Sequence, residues 1–267
     1  TNFTYYVKVN DSQEYVVRIP GVGTEEMIVR KNEKISTELS CSLGIDAELL
    51  YFGADGTKIS RYIPNAITMN ASELKKKENI KKVADVLKRL HTSGVDTGVP
   101  FEVFEMAHEY ERIIEDNAVI MFDDYSQIKS KVMKIKKLID LEYNIKKVPC
   151  HNDPLCENWV GGNGKMYLID WEYAGMNDPM WDIADVSIEA DFEADFDLLI
   201  LNEYLGHIPT EHELIHFYAN KVYVDFLWTL WAKARVPYSG QEMEDWALER
   251  YARLKNNIIA LEKIQGN

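Results

Sequence analysis

HNDPLCEN (residues 151–158) and LIDWEYAG (168–175) are the stretches whose reading decides the fold. The first follows the apolar pair Val148 and Pro149. It carries a His, an Asp two residues later, and an Asn five residues after that Asp. In the second, Asp170 closes the apolar run LID. Phosphoryl transfer asks for this inventory: positioned magnesium to neutralise phosphate oxygens, and an acceptor that orients the attacking hydroxyl. One carboxylate on a tight loop accepts the hydroxyl proton, while a second carboxylate and an amide oxygen supply hard ligands for Mg2+. Asp153, Asn158 and Asp170 provide that set, and an Asp and Asn separated by four residues have the spacing of a kinase catalytic loop. The competing reading is a polar turn, since Asp and Asn commonly bond their own backbone. The strand-end Asp170 at the correct short distance, and a β-rich segment upstream with a charged strand residue, favour catalysis. His151 reads as an orienting or packing residue rather than a proton carrier.

Upstream, TYYVKV and EYVVRI flank the turn-forming NDSQ and read as a hairpin. MIVRKNEKISTELSCSLG reads as a helix closed by Gly44. AELLYFG and TKISRYI read as a second strand pair turning at Ala54-Asp55-Gly56. After Pro64 helical patterns dominate. Asn70 with Glu73 suggests a capping box for a helix ending near Leu90, and further helices are expected at about 101–117, 124–142, 210–234 and 241–264. KKVPCHNDP and KMYLIDWEY are short and strand-like. The expected architecture is α+β: a small β-rich N-lobe (1–63), a hinge near Ser60 to Asn65, and a larger, mostly helical C-lobe (64–267). The acids then fall on loops beside short strands, a placement typical of a cleft.

The 267 residues are 46% hydrophobic and 28% charged, the balance of a globular protein with a substantial core. No apolar run has the length of a membrane span, none reads as a signal peptide, and membrane insertion is not expected. The net charge of −14 makes nucleic acid a poor partner. The basic run KKKENIKK (75–82) reads as the solvated face of a helix whose stripe is Leu74, Ile80, Val83, Leu87 and Leu90. Cys41, Cys150 and Cys156 fit reduced thiols in a cytoplasmic protein. Zinc is disfavoured, because Cys150, His151 and Cys156 are the only soft ligands close in sequence.

Arg18 in YVVRIPG has two readings: a strand cation binding the α- and β-phosphates, oriented by Glu33 or else by Glu26, or an ordinary edge-strand Arg in water. Spacing alone does not decide. All six Trp lie between 159 and 246. Trp228 and Trp231 share a helix face, with Trp246 on the next helix and Tyr173 just after Asp170. Aromatic faces attract quaternary ammonium groups such as choline, and Glu189 is available to balance a cation. From the residues alone, core packing is the better account of the Trp stripe.

HNDPLCEN, LIDWEYAGMNDPMWDIAD and the DFLWTLW helix together strongly resemble bacterial choline kinases, within the choline/ethanolamine kinase and aminoglycoside phosphotransferase superfamily. The similarity runs over essentially the whole chain. It implies a protein-kinase-like bilobal fold and ATP-dependent phosphorylation of choline to phosphocholine, with ATP as co-substrate and Mg2+ as cofactor. It assigns Asp153 as catalytic base and Asn158 and Asp170 as magnesium ligands. It puts Arg18 in the place of the phosphate-binding strand Lys, and RYIP (61–64) at the adenine hinge through Arg61 and Ile63. Tyr173, Trp228, Trp231 and Trp246 match the family's aromatic choline pocket and Glu189 its acidic residue, which moves the Trp residues from core to cage. The family carries a strand and a glycine-rich loop ahead of its TN motif, so Thr1 and Asn2 correspond to the end of that loop, and the N-lobe is expected to lack the rest. Ethanolamine or an aminoglycoside as acceptor, and a non-catalytic choline or nucleotide binder, are the rival readings.

Overall fold

The computed structural model describes residues 2–10, 12–21 and 28–266; Thr1 and Glu26 lie outside them. Both expected hairpins form. Strands β1 (Phe3–Asn10) and β2 (Gln13–Ile19) pair antiparallel with Thr4 opposite Arg18. The Asn10 side chain holds the turn by accepting from Ser12 N–H at 3.0 Å. At the second turn Asp55 accepts from Thr57 N–H at 3.0 Å, and Gly56 adopts φ +86°. Between the hairpins, α1 (Arg30–Ser42) is followed by Gly44 at φ +65°, the expected stop. It starts at Arg30, later than the pattern from Met27 suggests. β3 (Leu49–Phe52) and β4 (Lys58–Arg61) complete a sheet of order β1-β2-β4-β3, so Arg18 on β2 lies directly across from Lys58 on β4.

The single helix expected to end near Leu90 is two helices. After the short strand β5 (Ile67–Thr68) come α2 (Ala71–Leu74) and α3 (Lys77–His91). Asn70 does accept from Glu73 N–H at 3.0 Å. The Glu73 carboxylate, however, turns to Lys76 Nζ at 2.7 Å, so the reciprocal half of the capping box is replaced by an ion pair. Lys76 is extended (ψ 129°) and breaks the helix. The apolar stripe from Leu74 to Leu90 is buried as expected, with Lys76, Lys77 and Lys81 exposed.

Helices α4 (Val103–Asp116) and α5 (Tyr125–Glu142) match expectation. Strand β6 (Val148–Cys150), a 3-10 turn (Cys156–Asn158), β7 (Trp159–Gly162), β8 (Lys165–Leu168) and β9 (Gly175–Asn177) follow. Two helices absent from the sequence reading come next, α6 (Pro179–Glu189) and α7 (Ala194–Leu205). Residues Met180 to Ile188 of α6 are all buried, so no polar face marks its period. Its readable signals are the Asp178 cap, which accepts from Met180 N–H at 2.9 Å, and Pro179 in the first turn. α8 (Glu211–Ser239) opens on a complete Thr210–Glu213 capping box and carries Pro237 in its last turn; α9 (Gln241–Gln265) follows.

The chain packs as two compact units. The first is Thr1–Phe101 with Lys147–Ile208; it contains both hairpins, the 151–158 loop and the 168–175 segment. The second is Glu102–Lys146 with Pro209–Asn267, a bundle of α4, α5, α8 and α9 in which α8 and α9 pack along each other. Among the described residues no helix is long and apolar enough to cross a membrane.

Candidate active site

Two strand pairings bring the motifs together. β6 pairs with β9, Cys150 opposite Gly175, and β7 pairs with β8, Trp159 opposite Leu168. Loop 151–158 is thereby set beside residues 169–173. Ile169 N–H donates to the Asn158 carbonyl at 2.9 Å. The Asn158 side-chain amide donates to the Asp153 carbonyl at 2.9 Å, a bond that uses its nitrogen and not its oxygen. Gly175 has no room for a side chain: a Cβ there would lie 3.0 Å from the Val99 carbonyl oxygen. Asn152 (φ +67°) and Asp170 (φ +71°) are both left-handed, a conformation Asn and Asp accept most readily among non-glycine residues.

His151 is fully buried and orients the loop. Its Nε2 bonds the Ile169 carbonyl at 2.9 Å and its Nδ1 faces Asp153 N–H at 3.3 Å. That pattern sets the tautomer with the proton on Nε2. Burial pushes the imidazole pKa down, which keeps the ring neutral and supports the orienting role expected for it.

Beneath the loop lies Asp182 on α6, a residue the sequence reading did not single out. It is completely buried. Its carboxylate accepts from His151 N–H and from Asn152 N–H, both at 2.8 Å, and it meets His91 Nε2 at 3.0 Å. His91 Nδ1 in turn bonds Tyr204 at 2.8 Å. The loop's shape is therefore imposed from below by one acid. Cys150 groups with His91 and Asp182, not with His151 and Cys156 as sequence proximity implied. The hydrogen bonds just named already engage both Asp182 oxygens and both His91 nitrogens, which argues against a metal there. All three cysteines are free. Burial pushes the thiols of Cys41 to about 11 and Cys156 to about 12, and that of Cys150 well above its ordinary value, so none is poised as a nucleophile.

Beside these loops, within the first unit, is a cavity of about 550 Å3 whose lining includes Asn2, Arg18, Arg61, Ile63, Asp170 and Glu172. Arg18 is not an edge residue in water: it is 8% exposed. Its NH1 lies 2.9 Å from Asp170 and 3.3 Å from Glu33, and its NH2 bonds Glu172. Arg30 bridges Glu33 at 2.7 Å and Glu172 at 3.3 Å, and Asn2 donates to Glu172 at 2.8 Å. Glu33 is thus one of three carboxylates around Arg18, with Asp170 and Glu172. Burial raises its pKa, opposed by the Arg18 charge. Glu172 is the functional candidate that reading Asp170 alone overlooked. The signal was local: a second carboxylate stands two residues after Asp170, and both line the cavity. Here two guanidiniums face three carboxyl groups, with the Asn158 amide oxygen on the adjoining loop. Hard oxygen donors in excess of fixed cations are what Mg2+ takes, so the residues present fit the ion.

Of the expected acceptor-pocket residues, Tyr173 and Glu189 belong to the first unit and are half-buried. The Tyr173 carbonyl accepts from the Asn152 amide at 3.0 Å. In the second unit Trp228, Trp231 and Trp246 form one edge-to-face series, with centroids 6.1 Å and 5.7 Å apart. Trp228 is buried and the other two are half-buried. The Arg250 guanidinium lies 4.2 Å over the Trp246 ring, so that ring already carries a cation on one face. Trp159, Trp171 and Trp181 are fully buried core of the first unit.

The model of the choline/ethanolamine kinase family matches residues 1–225. The chain belongs to that family. It is 28% identical over 249 residues to protein LicA of Haemophilus influenzae, covering 89% of this chain and 91% of that protein. Among solved structures it is similar to choline kinase LicA from Streptococcus pneumoniae, with 32% identity and a TM-score of 0.82 over 96% of this chain and 90% of that one. A choline/ethanolamine kinase family protein from Mesorhizobium loti superposes with a TM-score of 0.85 at 28% identity, covering 96% of this chain and 85% of that one. The protein-kinase-like α+β fold expected from the motifs is therefore correct. So is the activity class: the family member described here is an ATP-dependent small-molecule phosphotransferase.

Proposed function

We propose that this family member transfers the γ-phosphate of ATP to the hydroxyl of choline, giving phosphocholine. The observation that carries the reading is the bonded pair of loops, one with Asp153 and Asn158 and the other with Asp170, which lines the cavity together with Arg18. Residues 1–63 serve the nucleotide, and residues 64–267 carry the catalytic loop, the metal site and the choline pocket. In the cavity Arg61 and Ile63 of the hinge meet the adenine, while Arg18, steadied by Glu33, and Asn2 take the phosphates. Asp153 accepts the proton of the attacking hydroxyl, a contribution on the order of 10² to 10⁴ in rate. Its backbone is already fixed by His151 and Asn158. Asn158 and Asp170, joined by Glu172, would hold magnesium, which neutralises charge on the phosphate oxygens when bound. Three free cysteines support a cytoplasmic location.

On the family resemblance, the rings of Trp228, Trp231 and Trp246 serve the trimethylammonium group. Ethanolamine has no methyl groups to fill such a set of rings. A desolvated cation–π contact is worth about 2 kcal/mol, a factor of roughly thirty. Trp228→Ala is therefore expected to lower the ratio of kcat/KM for choline to that for ethanolamine about tenfold or more. Taking the ratio removes any general loss of active protein. An unchanged ratio would remove Trp228 from acceptor recognition, and a wild-type ratio favouring ethanolamine would replace choline as the acceptor.

A further inference from the structure

Between the two carboxylates of the Asp-Trp-Glu segment sits Trp171. Its side chain is buried, 1% exposed, whereas Asp170 and Glu172 on either side of it line the cavity. Its indole N–H lies 3.1 Å from an Asp46 carboxylate oxygen and 3.2 Å from the Leu168 carbonyl. The His151 ring packs edge-on against it at 4.7 Å. One side chain thus touches the catalytic loop on one side and an acid of the N-terminal segment on another.

Asp46 is an unusual residue for that place. It follows α1, is 7% exposed, and lies 125 residues from its partner in sequence. Its other oxygen accepts from Ala47 N–H at 2.6 Å. The neighbouring Ile45 carbonyl accepts from Leu168 N–H at 3.1 Å, so residues 45 and 46 bond the chain on both sides of Asp170, at Leu168 and at Trp171. Lys58, also buried, supplies the compensating charge. Asp46 and Lys58 both line the cavity. A buried carboxylate costs free energy unless it is bonded and charge-compensated, and this one is both.

We propose that Asp46 is a positioning residue for phosphoryl transfer: by holding the Trp171 indole it fixes the direction in which Asp170 and Glu172 face the cavity. The proposal rests on the reading of Asp170 and Glu172 as the magnesium side of the site. A residue that orients metal ligands from outside typically governs metal affinity by ten- to a hundredfold. Asp46→Ala removes the acceptor, Asp46→Asn keeps one, and Trp171→Phe removes the donor while keeping most of the bulk.

The test measures two quantities in wild type, these three variants and the Asp46→Ala/Trp171→Phe double variant. The first is the magnesium concentration for half-maximal turnover at saturating ATP and choline. It is expected to rise about tenfold or more in Asp46→Ala and in Trp171→Phe, to rise no further in the double variant, and to return towards wild type in Asp46→Asn. The second needs no turnover: the exchange rate of the Trp171 indole proton in the full chain, expected to be faster in Asp46→Ala and near wild type in Asp46→Asn. Single-variant shifts that simply multiply in the double variant would overturn the proposal, as would an indole proton equally protected without Asp46. If Asp170→Asn raises the magnesium requirement and Asp46→Ala does not, the magnesium reading stands and the positioning role falls. If wild type shows no magnesium dependence, the magnesium reading falls, and the indole exchange alone decides whether Asp46 holds Trp171.

Discussion

Asp182→Ala is expected to lower the unfolding free energy by about 3–5 kcal/mol, read from the midpoint and slope of urea unfolding. The side chain is completely buried and serves two backbone N–H groups and a histidine nitrogen. Alanine leaves those groups unpaired in a space closed to water, each at a cost of about 1–3 kcal/mol. The two amides belong to His151 and Asn152, so the 151–158 loop loses its template together with the stability. Phosphoryl transfer by the remaining folded fraction should fall as well. Asp182→Asn retains an acceptor oxygen and should be milder in both respects. A loss below about 1 kcal/mol in the alanine variant would show that the loop keeps its shape without the acid.

Asp170→Asn is expected to reduce kcat/KM on the order of a thousandfold while leaving the unfolding free energy within about 0.5 kcal/mol of wild type. The two expectations separate because of where the residue sits. Its side chain is about one-third exposed, and Arg18 keeps Glu33 and Glu172 as partners when the charge is removed. Asparagine also tolerates the left-handed backbone at φ +71°, which alanine would do only with strain of about 1–2 kcal/mol. On the proposed reading, what the substitution removes is a charged magnesium ligand lining the cavity. Activity within tenfold of wild type at saturating magnesium would remove Asp170 from that role.

Local features of the fold were legible in the sequence because their causes are local. The NDSQ and Ala54-Asp55-Gly56 turns close hairpins through bonds spanning only a few residues. The stripe from Leu74 to Leu90 is readable because one face of α3 is wet. α6 was not legible, for the opposite reason: a helix buried on every side shows no period, and only its Asp178-Pro179 start announces it. The break at Lys76 was missed because Glu73 has a choice of partners, and an ion pair with Lys76 competed with the reciprocal cap.

The candidate site divides in the same way. Asp153, Asn158 and Asp170 follow from spacing within two short motifs. Arg18 was undecided until its carboxylate partners at 33, 170 and 172 were seen around it. Asp182 and Asp46 act across 31 and 125 residues on groups that carry no sequence mark of needing them. The backbone amides of the loop and the indole N–H of a core Trp look alike in every protein. The residues proposed to do the chemistry stand in short motifs, and those proposed to aim them are found by asking where each buried donor goes.

The most direct measurement is ADP release with magnesium-ATP in the presence of choline, of ethanolamine, or of no acceptor, for wild type and Asp153→Ala. The account predicts release that depends on choline and exceeds that with ethanolamine, and that falls by a factor on the order of 10² to 10⁴ in the variant. Acceptor-independent release, or a variant as active as wild type, would contradict it.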